Sequence, residues 1–366
     1  MTEETLDRFR GCLVGGAVGD ALGAPVEFRS RAEIRARFGE PGIASYEAAY
    51  GRRGAITDDT QMTLFTAEGL LRAWVWGASK GITTYSGVTA GAYLRWLRTQ
   101  GMQGRIRGDE LSADGWLYQH DALHSRRAPG NTCLSALQRM TTLGERARND
   151  SKGCGGVMRV APVGLFARSL GDALSQAETF ELGVELVALT HGHPTGSLAA
   201  GALALLVREL VGGAKLEDAL ASTRRCLLAH PDHGETLRAI EQAESLAASS
   251  MSQDNAIDRL GAGWIAEEAL ALSIYCTLVA GSFREGVMLA VNHGGDSDST
   301  GAIAGNLLGC MHGMGGIPQE WLEELELRDV IEELATDLHA FPEWPIGADS
   351  GDAPKPAAII EKYPPV

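Results

Sequence analysis

Two short segments of the chain crowd carboxylate and hydroxyl side chains together. The first is TDDT at 57–60, and the second is DSDST at 296–300. Hard cations such as Mg²⁺, Mn²⁺ and Ca²⁺ take oxygen ligands, and a cation removes the repulsion between neighbouring carboxylates. Two carboxylates from each segment suit a pair of cations that share a bridging aspartate. The candidate ligands are Thr57, Asp58, Asp59, Asp296, Asp298 and Ser299, with Glu27 in GAPVEF as a further acidic candidate.

Helix capping is the alternative interpretation of both segments. Threonine and aspartate are preferred N-cap residues, and acidic residues in a first turn favour the helix dipole. TDDT precedes the apolar periodicity of a helix over 59–77, although a cap needs one such residue rather than four. In the second segment, Ser299 or Thr300 would cap a helix over 299–312. A calcium-binding helix–loop–helix is excluded there, because Leu307 occupies the twelfth loop position, which requires a bidentate glutamate.

A third motif, SKGCGGVMR at 151–159, leaves the backbone bare at three glycines. It is not a Walker loop, and Met158 stands where the third glycine of a dinucleotide fingerprint would be. Exposed N–H groups could cradle a diphosphate, and a plain tight loop is the alternative. His191 and His193 in LTHGHP have no further Cys or His nearby, which disfavours a zinc site. A hydrogen-bonding role is favoured for His191.

Helices must position these groups, because helical periodicity dominates the chain. The predicted helices span 4–22, 59–77, 85–99, 131–141, 175–190, 195–212, 216–229, 233–249, 264–280, 284–291, 299–312 and 327–339. The best strand candidate is SYEAAY near residue 45. Runs such as GGAVGDALGA and GAIAGNLLG have small, flat faces that let helices approach closely.

The pattern therefore predicts an all-α fold with one compact domain over 1–341. We expect loops near 29–57, 100–130 and 142–162. The proline-rich segment 342–366 is predicted to be an irregular C-terminal tail.

Composition limits the partners and the compartment. The 366 residues carry a formal net charge of −15, which disfavours binding to nucleic-acid phosphates or anionic lipid. No signal-peptide pattern opens the chain, and no apolar run looks long enough to span a bilayer. The six cysteines are scattered without a C-x-x-C motif, which is typical of reduced thiols. These features predict a cytoplasmic protein with neither nucleic acid nor membrane as a partner.

Five segments in this order resemble the ADP-ribosylglycohydrolase family, which includes dinitrogenase reductase-activating glycohydrolase. They are GCLVGGAVGDALGAPVEF, TDDTQMT, GCGGVMR, LTHGHP and GGDSDSTGAIAGNLLG, and the resemblance covers roughly residues 5–325. It implies an all-α, orthogonal helical bundle with a cleft that holds two divalent cations, Mg²⁺ or Mn²⁺. The implied ligands are the six candidate ligands Thr57, Asp58, Asp59, Asp296, Asp298 and Ser299, with Ser299 in place of a common threonine.

The resemblance also implies contacts to ADP-ribose. The glycine loop would lie on the diphosphate through Ser151, Gly153 and Gly155, and His191 would line the ligand. Cys154 stands where some relatives have asparagine.

The implied activity is hydrolysis of the glycosidic bond at the anomeric carbon of ADP-ribose. In this reaction the cations bind two ribose hydroxyls and position a water molecule, while carboxylates stabilise an oxocarbenium-like transition state. The expected catalytic residues are Glu27, Asp59 and Asp296. Of these, Glu27 matches a mobile acid near the metals in relatives. We expect an ADP-ribosylated protein as substrate, arginine as the acceptor and free ADP-ribose as product. The alternatives are a serine-linked or small-molecule derivative, and a member that binds ADP-ribose without turnover.

Overall fold

Helices build the part of the chain that the computed structural model describes, which is residues 2–106, 115–346 and 357–365. Within these ranges, the only extended pairings are two isolated β-bridges. The all-α prediction is therefore confirmed. The α-helices are α1 (Glu3–Gly23), α2 (Arg31–Phe38), α3 (Asp58–Lys80), α4 (Tyr85–Thr99), α5 (Gly115–Tyr118), α6 (Asn131–Arg139), α7 (Ala161–Leu170), α8 (Gln176–Val187), α9 (Pro194–Val211), α10 (Leu216–Leu227), α11 (Gly234–Ala247), α12 (Gln253–Leu260), α13 (Ala266–Val279), α14 (Phe283–Val291), α15 (Ser297–His312), α16 (Gln319–Glu324), α17 (Arg328–Ala340) and α18 (Ala357–Lys362).

The helices α1 and α15 pack antiparallel with their backbones in contact. Glycines spaced four residues apart face one another across this interface, in the pairs Gly11 with Gly309, Gly15 with Gly305 and Gly19 with Gly301. A Cβ atom added to Gly19 would lie 1.9 Å from the carbonyl oxygen of Gly301, so only glycine fits there. The close approach predicted from the small-residue runs is confirmed. It sets the end of α1 against the beginning of α15, where the second acidic segment lies.

The first acidic segment begins α3. Thr57 is the N-cap residue, and its Oγ1 accepts a hydrogen bond from the N–H of Asp59 at 3.3 Å. Asp58 and Asp59 occupy the first turn, where negative charge favours the helix dipole. The carboxylate of Asp20, inside α1, also accepts from the N–H groups of Thr57 at 2.9 Å and Thr60 at 3.1 Å. The predicted capping role is thus confirmed, and it is compatible with a further role as ligands.

The beginning of α15 differs from its predicted position. The helix begins at Ser297, with Asp296 as the N-cap residue, so the prediction that Ser299 or Thr300 caps it is wrong. The N–H of Thr300 reaches the carbonyl of Asp296 at 3.1 Å, because the polar segment is itself helical. As a result, Asp298 lies in the first turn, as Asp58 does in α3.

Six helices were not predicted: α2, α5, α7, α12, α16 and α18. The most important is α7, which follows the glycine loop directly and carries Pro162 in its first turn. Its apolar residues, such as Val163 and Phe166, are fully buried, and the neighbouring glycine-rich loop obscured this pattern. The strand predicted near residue 45 is wrong. The described chain has only a single bridge there, from Ala49 to Arg52, and no partner strand.

Part of the predicted tail packs on the body of the protein. Tyr363 is fully buried, and its hydroxyl donates a hydrogen bond to Asp337 of α17 at 2.5 Å. Lys362 forms ion pairs with Asp337 and Glu333 of the same helix. Residues 347–356 and 366 of the predicted tail lie outside the described residues, so its boundary at residue 342 stays a prediction.

One helix, α9, is long and apolar enough to cross a membrane by length and composition alone, which differs from the prediction. In the fold, however, 83% of this apolar stretch is buried inside the protein. It packs against α7, α8, α10 and α13. Core helices of soluble proteins share these properties, and we interpret α9 as a core helix.

Candidate metal centre and ligand loop

Three carboxylates meet where α1 and α15 adjoin. Oxygen atoms of Glu27, Asp296 and Asp298 all lie within 4.8 Å of one another. Each aspartate is only 3% exposed, so water screens their repulsion poorly. In the described ranges, no lysine or arginine forms an ion pair with any of the three. A buried group of oxygen ligands without a protein counter-charge fits a hard divalent cation.

Burial and repulsion by neighbouring carboxylates raise the pKa of two of these groups, Glu27 and Asp296. Burial, followed by the charges of Asp298 and Asp296, raises the pKa of Glu27 to about 11. Burial, with the charge of Asp298 as the next cause, raises the pKa of Asp296 well above its usual range. A bound cation would oppose these shifts, because positive charge favours the ionised carboxylates.

Asp58 and Asp59 approach the same centre from α3. Burial first, and the charge of Asp298 second, raise the pKa of both well above the usual range. Asp58 Oδ2 accepts a hydrogen bond from the N–H of Gly130 at 3.3 Å. Asp59 Oδ2 and Glu27 Oε2 are buried, and neither has a hydrogen-bond partner within the described chain. Buried acceptors without a donor are costly, so these two oxygens are the observation that best supports a cation site.

The other two predicted ligands also lie at these helix beginnings. Thr57 is fully buried and Ser299 is 2% exposed. Ser299 Oγ lies 3.7 Å from the sulfur of Met158, beside the glycine loop. The closest trio does not include Asp58 or Asp59, so the full set of six ligands stays a prediction.

Asp20 is a site residue that the sequence analysis did not identify. Its carboxylate is fully buried and holds the beginning of α3 through Thr57 and Thr60. Burial, and then the charge of Asp298, raise its pKa to about 7, although the hydrogen bonds from Thr60 and Thr57 oppose this rise. The available signal was a single carboxylate inside an apolar, glycine-rich helix pattern.

Cys154 is a second contact that was not identified. Its thiol donates a hydrogen bond to Asp296 Oδ2 at 2.7 Å. Burial, with the charge of Asp296 as the next cause, raises the pKa of the thiol well above its usual range. The thiol therefore stays protonated and acts as a donor rather than a nucleophile. Cys154 of the glycine loop therefore reaches the acidic centre.

The glycine loop offers backbone N–H groups. Within the described chain, the N–H groups of Gly155 and Gly156 have no protein acceptor. Arg159 is fully buried and donates to the carbonyl of Gly155 at 2.8 Å and to Thr190 Oγ1 at 2.7 Å. Arg159 therefore supports the loop from the protein interior, and these hydrogen bonds hold its guanidinium within the protein. The bare N–H groups remain for an anionic ligand.

The beginning of the loop is held by side chains. Lys152 forms ion pairs with Glu235 at 2.7 Å and with Glu267, so its charge is already neutralised. Ser151 Oγ lies 3.0 Å from Thr132 Oγ1 and accepts from the N–H of Gly153 at 3.3 Å. The predicted diphosphate contacts Ser151, Gly153 and Gly155 therefore lie on one ordered turn.

His191 lies against this turn. Its Nε2 is 3.6 Å from the position that a Cβ would take at Gly153 or at Gly155. Burial, with the charge of Arg159 as the next cause, lowers the pKa of His191 to about 3, so the ring is neutral. Thr190 Oγ1 already accepts from Arg159, and its own proton is well placed for His191 Nδ1 at 2.9 Å. We therefore assign Nε2–H as a donor directed at the loop.

Residues 1–345 match the family model described as ADP-ribosylglycohydrolase. The chain belongs to the ADP-ribosylglycohydrolase family. It is similar to an ADP-ribosyl-[dinitrogen reductase] glycohydrolase of Rhodospirillum rubrum, at 27% identity over 331 residues that cover 88% of this chain and 91% of the relative. It is also similar to the ADP-ribosylarginine hydrolase Tri1 of Pseudomonas putida, at 25% identity over 92% of this chain and 79% of the relative.

A solved structure supports the same conclusion. An ADP-ribosylglycohydrolase-related protein complex has a chain that superposes with a TM-score of 0.68 at 28% identity, and the match covers 93% of this chain and 99% of that one. The fold is therefore of the ADP-ribosylglycohydrolase type. Members of the family act on glycosidic bonds of ADP-ribose, and this protein is a hydrolase of that class.

Proposed function

We propose that this protein removes ADP-ribose from ADP-ribosylated arginine side chains, with two divalent cations, Mg²⁺ or Mn²⁺, as cofactors. The observation that carries the proposal is the buried acidic centre with two unpartnered carboxylate oxygens, on Glu27 and Asp59. The residues that would hold the cations are Thr57, Asp58, Asp59, Asp296, Asp298 and Ser299. When bound, the cations supply Lewis acidity that orients the ribose hydroxyls and makes a water more acidic.

The glycine loop would orient the rest of the ligand. The ADP-ribose diphosphate would accept hydrogen bonds from the bare N–H groups around Gly155, beside Ser151 and Gly153. Nε2–H of His191 would add a neutral donor, which binds an anion without requiring protonation. These contacts would hold the anomeric carbon of the ribose over the acidic centre.

Hydrolysis then breaks the bond between ribose C1′ and the guanidino nitrogen, and the electron pair leaves with that nitrogen. We assign Glu27, whose Oε2 is buried without a hydrogen-bond partner in the described chain, to donate a proton to the departing nitrogen. Asp59 accepts a proton from the water whose oxygen bonds to C1′. Asp296 stabilises the positive charge that develops on the sugar ring. The products are free ADP-ribose and an unmodified arginine.

Arginine is the proposed acceptor because one relative is named as an ADP-ribosylarginine hydrolase. A net charge of −15 also favours a cationic acceptor and disfavours nucleic acid and anionic membranes as partners. We propose a cytoplasmic location, where protein substrates of this kind and free thiols coexist, since all six cysteines are unpaired.

The test is release of ADP-ribose from an arginine-ADP-ribosylated protein, with Mg²⁺ or Mn²⁺ and with EDTA. We expect release that requires the cation and disappears when Asp296→Ala is combined with Asp298→Ala. The matched control combines Asp172→Ala with Asp218→Ala, which removes two exposed aspartates and should leave the rate unchanged. Release from serine-linked substrate alone would overturn arginine as the acceptor. Binding of ADP-ribose without release from either substrate would overturn the catalytic proposal.

A further inference from the structure

Three aromatic side chains surround the acidic centre at the surface. They are Phe28, which is 70% exposed, Tyr50 at 43% and Trp264 at 40%. In the described residues, no other phenylalanine, tyrosine or tryptophan side chain has an exposed fraction this high. Isolated exposed apolar residues need no explanation, but aromatic residues that collect around one site indicate a binding surface.

Phe28 and Trp264 lie next to residues of the acidic centre, either in sequence or through hydrogen bonds. Phe28 directly follows Glu27. The carbonyl of Trp264 accepts from the N–H of Cys154 at 3.1 Å, and the thiol of Cys154 reaches Asp296. The rings of Phe28 and Trp264 stack on each other, with centroids 5.3 Å apart and an interplanar angle of 20°. The pair therefore lies at the rim between the acidic trio and the glycine loop.

Tyr50 faces the centre from the other acidic segment. Its ring lies 6.0 Å from the guanidinium of Arg127, whose carbonyl accepts from the N–H of Asp58. Burial, followed by the charges of Glu27 and Asp298, raises the pKa of the Tyr50 hydroxyl, which is consistent with this location. The three rings therefore lie around the centre: Phe28 and Trp264 on the side of the acidic trio, and Tyr50 on the side of the first acidic segment.

Two of these residues, Phe28 and Tyr50, have a backbone conformation that their residue type disfavours. Phe28 has a φ of 64° and Tyr50 a φ of 50°, the left-handed region that bulky side chains avoid. Because the Phe28 side chain is largely exposed, burial does not offset the strain at that residue. Strained residues of this kind concentrate at functional sites.

We propose that Phe28, Tyr50 and Trp264 form an aromatic collar that binds the guanidinium of the ADP-ribosylated arginine and selects it over a serine-linked acceptor. The inference rests on the proposed function and names the residues that determine its substrate class. Aromatic faces favour a planar cation, and a guanidinium is planar, charged and weakly hydrated. A serine-linked acceptor offers neither charge nor a flat face.

The test compares aliphatic with aromatic replacements. Phe28→Leu and Trp264→Leu should each raise KM for an arginine-ADP-ribosylated peptide by about fivefold, with kcat little changed. Phe28→Tyr and Trp264→Phe should retain the wild-type KM, because they keep a flat aromatic face. None of the four should change KM for a serine-linked peptide or Kd for free ADP-ribose. The matched control is Leu228→Ala, which truncates an exposed apolar side chain directly after α10.

Equal KM values for the leucine and wild-type proteins would overturn the collar. So would an equal loss of affinity for free ADP-ribose, which would assign the rings to adenine instead. The Phe28→Gly variant distinguishes a binding role of Phe28 from a folding role. Its melting temperature should be no lower than that of the wild type, because glycine relieves the backbone strain at this position. A lower melting temperature would show that Phe28 is a packing residue.

A binding measurement separates this inference from the proposed function. N-ethylguanidinium, titrated into the Mg²⁺-loaded protein and followed by ligand-observed NMR, should bind the wild type more tightly than the Phe28→Leu, Trp264→Leu double variant. This comparison requires no hydrolysis, so it decides the collar even if neither peptide is cleaved. Indistinguishable binding by the two proteins would exclude the collar.

Discussion

The carboxylate of Asp20 accepts a hydrogen bond from the N–H of Thr57 at 2.9 Å, and it thereby joins the interior of α1 to the beginning of α3. The N–H of Thr60 reaches the same oxygen at 3.1 Å. One buried carboxylate thus fixes where Asp58 and Asp59 lie relative to the acidic trio. Asp20 positions the centre and is not among its expected ligands.

Replacement of Asp20 by alanine should therefore destabilise the protein and weaken cation binding. With Mg²⁺ bound, we expect Asp20→Ala to lower the free energy of unfolding by about 1–3 kcal/mol, because buried N–H groups lose their acceptor. Asp20→Asn keeps one acceptor oxygen and should lose less. Urea unfolding and Mg²⁺ titration would measure both effects. Unchanged stability of the alanine variant would contradict this role.

The cation-free protein should become less stable as pH rises. The pKa of Asp20 lies at about 7 in the folded protein, against a usual value of 3.8. The folded protein therefore binds more protons in this interval, and stability falls as pH increases through it. The pKa values of four further carboxyls are also raised, and they act in the same direction: Glu27, Asp58, Asp59 and Asp296.

Urea unfolding in EDTA at several pH values between about 4 and 7 would measure this slope. Saturating Mg²⁺ should flatten it, because the cation replaces protons as the counter-charge. Asp298→Asn should also reduce it, since the charge of Asp298 contributes to all five shifts. Stability that rises with pH in EDTA would show that the centre is not a cluster of repelling carboxylates.

The glycine rows between α1 and α15 should tolerate no side chain. We expect Gly19→Ala to cost about 1–3 kcal/mol or more, because its Cβ would collide with backbone rather than with a movable side chain. Gly315→Ala is the matched control, since a Cβ there meets nothing within 4 Å. Chemical unfolding of the two variants would make the comparison. Equal stabilities of the two variants would show that the α1–α15 contact can accommodate a Cβ atom, because alanine has a higher helix propensity than glycine and that effect alone would not destabilise α1.

His191 should contribute a neutral hydrogen bond to ADP-ribose binding. We expect His191→Ala to weaken ADP-ribose about fivefold, which corresponds to about 1 kcal/mol. The fold-change should be the same at pH 6 and pH 8, because the pKa of His191 is about 3. Calorimetric titration of ADP-ribose, with His312→Ala as an exposed control, would test this. An effect confined to low pH would indicate a charged imidazolium instead.

The sequence predicted the helical class and most long helices, because their apolar periodicity and capping residues are local signals. It also indicated that glycine-rich helices would touch, which α1 and α15 do. The acidic segments and the glycine loop were identified in the same way, from crowded side chains within a few residues.

The contacts between these segments were less accessible to sequence analysis. Asp20 and Thr57 are far apart in the chain, and so are Cys154 and Asp296, so no local pattern links them. The positive φ of Phe28 depends on the turn that follows α1, which residue type alone would not suggest. Short helices such as α2 and α7 were missed because glycine, arginine and proline nearby resemble loop composition.

The pairing of α1 with α15 has a consequence for synthesis of the chain. The first helix leaves the ribosome long before its partner, since residues 24–296 separate them. Contacts this distant in sequence form slowly and late. Until α15 is complete, the glycine face of α1 has no backbone to contact and the carboxylates have no common centre. Incomplete chains and amino-terminal fragments should therefore be inactive, and their exposed α1 face is a surface that chaperones would have to protect.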